Sequence, residues 1–206
     1  MLTLFHAPNS RSSAIMTLID EMGIRDLIKV ETVNISRFDG SGAADPANPH
    51  PEGKAPVLVH DGRIITERAA IILHLTTLFP DTGLAPRIGT PDWGSFAAWL
   101  CWYQGVLEPV LIHQMAGLEH LFLTRTFRGP KEAAARLRAA LDKGPWLMGE
   151  AYSAADLLVH SPFAWAPQSM PDDPVIRDWV ARCMARPARV RTLAADTARM
   201  AEMAAG

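Results

Sequence analysis

The sequence predicts an α/β domain followed by an all-α domain. Strand and helix patterns alternate over about the first 80 residues, and strand patterns stop after that point. Residues 80–91 contain three prolines and two glycines, a composition typical of a linker. We therefore expect an α/β domain over residues 1–80, a linker over 81–90 and an all-helical domain over 91–206.

The α/β domain is predicted to begin with a strand, a helix and a second strand. Residues 2–5 are a short apolar strand, and residues 28–35 are rich in β-branched side chains. Between them, apolar side chains recur at helical spacing up to position 22. Ser12 or Ser13 is expected to cap this helix at its start, and Gly23 to end it. Because a crossover helix joins the two strands, they should be parallel.

A hairpin and a second helix are predicted to complete this domain. Residues 57–60 and 63–65 are apolar segments separated by Asp61-Gly62, the strongest short hairpin pattern. Residues 66–79 then form an amphipathic helix that ends before Pro80. The hairpin adds antiparallel strands, so the sequence predicts a small mixed sheet with helices packed on it.

The remainder of the chain shows helical patterns only. Residues 92–123 are apolar at helical spacing, and Pro109 is expected to kink this segment. Ser153 and Asp156 have the spacing of a capping box, which predicts a helix start at Ser153 and a structural role for Asp156. Further helices are predicted over residues 131–141, 174–184 and 188–203.

Composition and charge exclude several classes of partner. The formal net charge is −2 and no basic run is present, so we expect no nucleic acid partner. No apolar run reaches the roughly 18 residues of a membrane helix, and no secretory segment precedes the first strand. We therefore expect no membrane association and a cytoplasmic location. Cys101 and Cys183 are expected to be small buried thiols in that reducing compartment.

Several motifs follow one another in a characteristic order. They are Asn48-Pro49, the run GKAPVL from Gly53, Asp61-Gly62 and the run TERAAI from Thr66. In this order they resemble the segments N-P-x-G-K-V-P-x-L, D-G and T-E-S-x-A-I of glutathione transferases. The runs FPDTGLAP from Phe79 and SAAD from Ser153 resemble the linker and the buried helix cap of the same family. The resemblance implies a thioredoxin-like N-terminal domain and an all-α C-terminal domain, which together form the glutathione transferase fold.

The resemblance also implies a binding site for glutathione, used as a co-substrate, and no metal. In the family, the residue before a cis-proline offers its N–H and C=O to the cysteinyl part of glutathione, as an added strand would. Here those residues are Ala55 and Pro56. Glu67 would face the γ-glutamyl ammonium group. The candidate glutathione-binding residues are Lys54, Ala55, Pro56, Glu67 and Arg68.

Arg68 departs from the family pattern. Relatives usually carry serine at this position, where its hydroxyl and N–H hold the γ-glutamyl carboxylate at a helix N-terminus. The backbone N–H is retained here, and the Arg68 guanidinium is able to pair with the same carboxylate. The alternative is that Arg68 points to solvent or to a subunit interface.

The residue that activates the glutathione thiol should lie between the first strand and the first helix. In the family a hydrogen-bond donor and a helix N-terminus lower the thiol pKa there. Residues 6–13 contain neither tyrosine nor cysteine. Ser10 is the first candidate for the catalytic donor, Asn9 the second and Ser12 the third. The alternative role for each is to cap the helix.

The resemblance implies two further kinds of partner. A small hydrophobic electrophile would bind between the domains, with Trp102, Tyr103, Val106 and His113 as candidate pocket residues. Alternatively, these side chains form core or subunit contacts, because an aromatic stripe on a helix usually serves packing. The family also implies a homodimer.

The sequence is compatible with three functions. The first is a glutathione transferase that activates the thiol for attack on a hydrophobic electrophile and so serves detoxification. The second is a non-catalytic binding module with the same fold. The third is a glutathione-dependent disulfide reductase, as in relatives that carry asparagine in the loop.

Overall fold

A computed structural model describes residues 1–205, and its first part is built on a four-stranded mixed sheet. The strand order is β2-β1-β3-β4. β1 is parallel to β2 and antiparallel to β3, and β3 is antiparallel to β4. The predicted mixed sheet and its strand directions are therefore confirmed. The strands are β1 (Leu2–His6), β2 (Ile28–Thr32), β3 (Val57–His60) and β4 (Arg63–Ile65).

The β3–β4 turn forms as its sequence predicts. Asp61 and Gly62 have φ angles of +46° and +79°, as a two-residue type I′ turn requires. β2 ends three residues earlier than predicted, at Thr32. Just beyond this end, the Asn34 N–H donates to a side-chain oxygen of Asp45 at 2.9 Å instead of continuing the strand ladder.

Two helices belong to the same part of the chain as the sheet. α1 (Ser13–Glu21) lies between β1 and β2, and α2 (Arg68–Leu78) follows β4. Gly23 follows α1 with a φ of +66°, which confirms the predicted C-terminal stop. The predicted cap at the start of α1 is wrong, because Ser12 occupies the N-cap position without a side-chain capping bond. Its hydroxyl instead lies within hydrogen-bond distance of His6, Ala7 and Ser10.

The rest of the chain is helical. The residue bounds are α3 (Pro91–Trp102), α4 (Glu108–Met115), α5 (Leu121–Phe127), α6 (Pro130–Leu141), α7 (Ala154–Val159), α8 (Pro162–Trp165), α9 (Pro174–Met184) and α10 (Pro187–Ala205). Instead of a kink at Pro109, the helix widens into a π-helical turn just before this proline. A π-helical turn, Tyr103–Leu107, joins α3 to α4, and the Glu108 N–H donates to the Tyr103 carbonyl. A proline ring clashes with the carbonyl four residues earlier in a regular helix, and this wider turn lies over those positions.

α7 begins with the predicted capping box. The Ser153 N–H and hydroxyl donate to Asp156 Oδ2, both at 3.0 Å. Asp156 Oδ1 accepts from the Leu147 N–H at 2.8 Å and from Trp179 Nε1 at 2.9 Å. Burial raises the pKa of Asp156 above its usual range, although the four donors act in the opposite direction. The carboxylate thus joins α7, α9 and the loop before α7.

The described chain separates into two compact units. One comprises Met1–Thr82 together with α10, and the other is Gly83–Arg186. The expected helical domain, residues 91–206, included the segment that forms α10. In the structure α10 packs along α1 and so groups with the first unit. Within residues 1–205, no helix is both long and apolar enough to cross a membrane.

The cysteine prediction holds at one position only. Cys183 is buried, as expected, whereas Cys101 is exposed and the expectation of a buried thiol there is wrong. Its neighbours Leu100 and Trp102 point into the core, so residue 101 falls on the outer face of α3.

Candidate functional site

Three connections of the first unit meet at one end of its sheet. β1 runs up to His6, and the register pairs Phe5 with Val57 at the start of β3. In the next ladder, Leu58 pairs with Ile65 near the end of β4. The loop after β1, the segment before β3 and the connection from β4 to α2 therefore lie at the same sheet end. The N-termini of α1 and α2 follow directly from two of these connections.

The segment before β3 contains the expected cis peptide bond, between Ala55 and Pro56. The sheet ladder begins at Val57, so the peptide groups of Ala55 lie outside it. Ala55 is half-buried and Pro56 is buried. An extended ligand could add alongside Ala55 as a strand adds to a sheet edge.

Glu67 occupies the N-cap position of α2 with a φ of +66°. Non-glycine residues seldom adopt this region, and such strain collects at functional sites. The Glu67 side chain is exposed, whereas Arg68 is only 4% exposed. The alternative in which Arg68 points to solvent is therefore wrong.

Lys54 and Arg11 contribute charge to the same region. Lys54 is exposed and pairs with Glu52. The hydrogen bond to Glu52 raises the pKa of Lys54, the Glu67 carboxylate adds to the rise, and Arg11 opposes it. Arg11 and Glu67 thus both contribute to the electrostatic environment of Lys54.

The loop after β1 presents the three candidate thiol donors at different depths. Asn9 is exposed, with a φ of +50°, and Ser10 is half-buried. Ser12 is fully buried. Ser10 Oγ lies 2.7 Å from the Ala7 carbonyl oxygen and 2.8 Å from Ser12 Oγ. Of the two serines, Ser10 is therefore the one whose hydroxyl can reach a ligand.

Arg37 holds this loop from the segment after β2. Its Nη2 donates to the Pro8 carbonyl at 2.7 Å, and its Nη1 donates to the Asn9 carbonyl at 3.1 Å. The guanidinium fixes the backbone of the loop and places a permanent positive charge beside it. Positive charge at this position favours a thiolate over a thiol.

Two residues behind the loop were not identified from the sequence, His6 and Asp196. His6 Nε2 lies 3.0 Å from Asp196 Oδ1, and His6 Nδ1 lies 2.7 Å from Ser12 Oγ. Asp196 Oδ2 accepts from the Asn9 N–H at 3.0 Å and from the Ser13 hydroxyl. His6 and Asp196 are 5% and 4% exposed. The pair is 190 residues apart in sequence, so no local pattern could reveal it.

The pKa of Asp196 is lowered from its usual value. Burial acts to raise it, but the hydrogen bonds from His6, Ser13 and the Asn9 N–H lower it by more than burial raises it. The carboxylate therefore stays ionised inside the first unit.

This lowered pKa predicts a loss of stability in acid. A carboxylate whose pKa is lower in the folded state stabilises the fold above its unfolded pKa, about 3.9, and loses that contribution as the pH falls through the folded value. In urea unfolding, the free-energy difference between wild type and Asp196→Asn should shrink as the pH falls from about 5 to below about 4. A difference that is undiminished at the acid end would contradict the role of the Asp196 charge.

The four candidate pocket residues lie in the second unit. Trp102 is buried beside Trp99, and the Arg136 guanidinium lies 4.6 Å and 4.8 Å from their ring centroids. Tyr103 is fully buried, and its hydroxyl accepts from Ser161 at 3.3 Å. Val106 and His113 are half-buried. The environments of Trp102 and Tyr103 are those of packing residues.

A cavity of about 240 Å³ in the second unit has other walls. Its apolar lining includes Leu107, Leu111, Leu137 and Phe163, with Lys131 and Asp172 among its polar groups. None of the four candidate pocket residues lines it. Within residues 1–205, no group of three or more His, Cys, Asp or Glu side chains is placed to hold a metal ion.

Comparison with known proteins shows which family the first part of the chain resembles. Residues 4–83 match the family model for the N-terminal domain of glutathione S-transferases. A glutathione S-transferase 3 of Schizosaccharomyces pombe is 28% identical over 111 residues, which cover 54% of this chain and 44% of that protein. The chain thus matches less than half the length of this curated relative.

Solved structures extend the likeness over the whole chain. A glutathione transferase from Methylococcus capsulatus is 25% identical, with a TM-score of 0.75, and the alignment covers 96% of this chain and 99% of that one. A sphingomonad glutathione S-transferase complexed with glutathione is 23% identical, with a TM-score of 0.73 and coverage of 95% and 98%.

The resemblance found in the sequence is thereby confirmed. Residues 4–83 match the N-terminal domain of glutathione S-transferases, and the chain has the fold of the solved glutathione transferase structures, a thioredoxin-like mixed sheet followed by a helical region.

Proposed function

We propose that the protein is a glutathione transferase that activates the thiol of glutathione for attack on a small hydrophobic electrophile. The observation that carries the proposal is the meeting of three connections at one sheet end. There the free peptide groups of Ala55, the exposed carboxylate of Glu67 and the N-terminus of α1 face the same region. Such a site can hold the middle of the tripeptide, its ammonium group and its sulfur.

Each part of the ligand has a proposed partner. Ala55, next to Pro56, pairs with the cysteinyl backbone. Glu67 receives the γ-glutamyl ammonium, and the Arg68 N–H at the start of α2 holds the γ-glutamyl carboxylate. The Lys54 ammonium contributes attraction for the ligand's carboxylates. Ser10 is the proposed donor to the sulfur, with Asn9 as the competing candidate.

The proposal also covers the co-substrate, the cellular location, the oligomeric state and the electrophile site. The glutathione-bound sphingomonad structure and the fold shared with bacterial transferases support glutathione as the co-substrate. We propose a cytoplasmic homodimer, and an electrophile that binds near the residues of the first long helical segment. The half-buried Val106 and His113 remain candidates there, whereas the burial of Trp102 and Tyr103 favours packing roles for these two residues.

Affinity for glutathione tests the binding site directly. Wild-type protein should be retained on immobilised glutathione and eluted by the free tripeptide. Glu67→Gln removes a charge-assisted hydrogen bond worth roughly 1.5–3 kcal/mol, so the Kd should rise about tenfold to a hundredfold. The matched control is Glu31→Gln, a half-buried glutamate on β2 that pairs with Lys29, and its Kd should not change.

The reaction catalysed separates the competing functions. A transferase should conjugate an aryl halide, and a disulfide reductase should instead reduce a mixed disulfide of glutathione. Binding without either reaction would point to the non-catalytic module. Failure of wild type to bind glutathione at all would contradict the proposal.

A further inference from the structure

Behind the loop after β1, four side chains form a continuous hydrogen-bonded chain that the family resemblance does not assign. Asp196 Oδ1 lies 3.0 Å from His6 Nε2, and His6 Nδ1 lies 2.7 Å from Ser12 Oγ. Ser12 Oγ lies 2.8 Å from Ser10 Oγ. The first three residues are buried and Ser10 is half-buried, so the chain leads from the interior to the proposed sulfur position.

With a neutral imidazole, the protons in this chain point inward. A carboxylate only accepts hydrogen bonds, so His6 Nε2 carries the proton toward Asp196. Nδ1 then accepts from the Ser12 hydroxyl, whose oxygen also lies 2.9 Å from the Ala7 carbonyl oxygen. Ser12 Oγ then accepts from the Ala7 N–H, at 3.0 Å, and from the Ser10 hydroxyl. Ser10 Oγ accepts from the Ser12 N–H at 3.1 Å and keeps one lone pair for an outside donor.

With a protonated imidazole, the same distances support the opposite arrangement. His6 Nδ1–H donates to Ser12 Oγ, and the Ser12 hydroxyl donates to Ser10 Oγ. Both serine oxygens then accept two hydrogen bonds, because the Ala7 and Ser12 N–H groups stay in place. The Ser10 hydroxyl then no longer donates to Ser12, and it is able to donate either to the Ala7 carbonyl oxygen at 2.7 Å or outward to the site. The charge on His6 thus sets the direction of the hydrogen bond between Ser12 and Ser10.

We propose that Asp196, His6 and Ser12 form a proton relay that accepts the thiol proton of glutathione through Ser10. The inference rests on the proposed function. The S–H bond breaks and its electron pair remains on sulfur. Ser10 Oγ gains that proton and passes its own to Ser12 Oγ, which passes its own to His6 Nδ1. The products are a thiolate that accepts a hydrogen bond from Ser10 and an imidazolium paired with the Asp196 carboxylate.

The relay divides the roles among its members. Ser10 alone touches the sulfur, so Ser12, His6 and Asp196 act through it as relay and positioning residues. A buried aspartate that orients a histidine and stabilises its imidazolium form is a general device of acid–base catalysis. An imidazole is also the side chain that ordinarily changes charge between about pH 5 and 8.

Other charged groups face the relay from the surrounding elements. Arg189 on α10 interacts electrostatically with Asp196. Arg37 holds the Pro8 and Asn9 carbonyls, and Arg11 lies in the loop itself. On β2 the residue opposite His6 is the uncharged Thr32. Asp196 is therefore the anion in direct contact with the imidazole, and the arginines favour the thiolate at the other end of the relay.

The proton balance tests the relay in wild-type protein. Nitrogen NMR of His6 first identifies a pH at which the ring is uncharged in the free protein. At that pH, ultraviolet absorbance measures the thiolate formed on adding glutathione, and an indicator dye measures protons released to solution. The relay predicts that His6 becomes an imidazolium and that far less than one proton is released per thiolate. S-methylglutathione, which has no thiol proton, should leave His6 neutral.

Variants separate the relay from a structural role. Asp196→Asn and Ser12→Ala should each raise the pH midpoint of thiolate formation by about one unit, a tenfold loss of thiolate near neutral pH. Their Kd for S-methylglutathione should stay at the wild-type value. Asp20→Asn is the matched control, because Asp20 joins the same two helices through Arg191 at 2.9 Å without touching the relay, and its midpoint should not move.

Specific results would overturn the relay. They are one proton released per thiolate in wild type, a His6 spectrum that glutathione leaves unchanged, or unshifted midpoints in both variants. If Asp196→Asn does not fold, Ser12→Ala and the wild-type proton count decide the matter. Failure of the proposed function looks different, because then neither glutathione nor S-methylglutathione binds.

Discussion

Asp156→Ala should lower the free energy of unfolding by at least about 3 kcal/mol, the largest stability effect we expect from any single substitution in the second unit. The change removes the acceptor of four hydrogen bonds. The four donors are the Leu147 N–H, the Trp179 indole N–H, and the N–H and hydroxyl of Ser153. Each buried donor that loses its partner costs roughly 1–3 kcal/mol. Urea unfolding followed by tryptophan fluorescence, which includes Trp179, measures the loss.

Two comparisons make this result specific. Asp156→Asn keeps the shape but turns an amide N–H₂ toward two of the donors, so it should also destabilise. Asp142→Ala removes an exposed carboxylate that pairs with Arg138 across one helical turn, and such pairs are worth only about 0.3–0.5 kcal/mol. Normal stability of Asp156→Ala with loss of activity would show that Asp156 is catalytic and not structural.

Ser10→Ala should have the largest effect on catalysis. The fold and glutathione binding should persist, because Ala55, Glu67 and the Arg68 N–H hold the tripeptide in the proposed site. A charge-assisted hydrogen bond to the thiolate is worth roughly 1.5–3 kcal/mol, and one pKa unit is about 1.4 kcal/mol. The pKa of bound glutathione should therefore rise by about one to two units, and turnover near neutral pH should fall about tenfold to a hundredfold.

The pH profile identifies the donor. Much of the turnover of Ser10→Ala should return at high pH, where the thiolate forms without help. Asn9→Ala is the comparison within the same loop. If Asn9→Ala raises the thiol pKa and Ser10→Ala does not, the asparagine amide is the donor. If neither substitution moves it, a backbone group or water holds the sulfur.

The elements that the sequence predicts well are those whose causes are local. The Asp61-Gly62 turn needs two residues with positive φ, and the capping box needs a serine and an acidic residue at fixed spacing. Both patterns carry their physical cause within a few residues. The cis bond at Pro56 is also found, but its prediction came from the family motif and not from the proline alone.

The parts that the sequence could not predict depend on distant partners. Ser12 has the pattern of a helix cap, yet its hydroxyl is taken up by His6, Ala7 and Ser10. The packing of α10 brings Asp196 to His6, which is itself a partner of the Ser12 hydroxyl. Asp196 itself lies on a long helix where an acidic residue usually faces solvent, so neither composition nor periodicity distinguishes it.

The place of α10 in the first unit has a consequence for biosynthesis. His6 and Asp196 are 190 residues apart, so at about 5–20 residues per second the ribosome adds the second roughly 10–40 s after the first. Until then the His6 imidazole lacks the carboxylate that it contacts in the finished protein. The first unit is therefore completed only after the second unit has been synthesised, and a chain that stops before residue 187 lacks the helix that packs along α1.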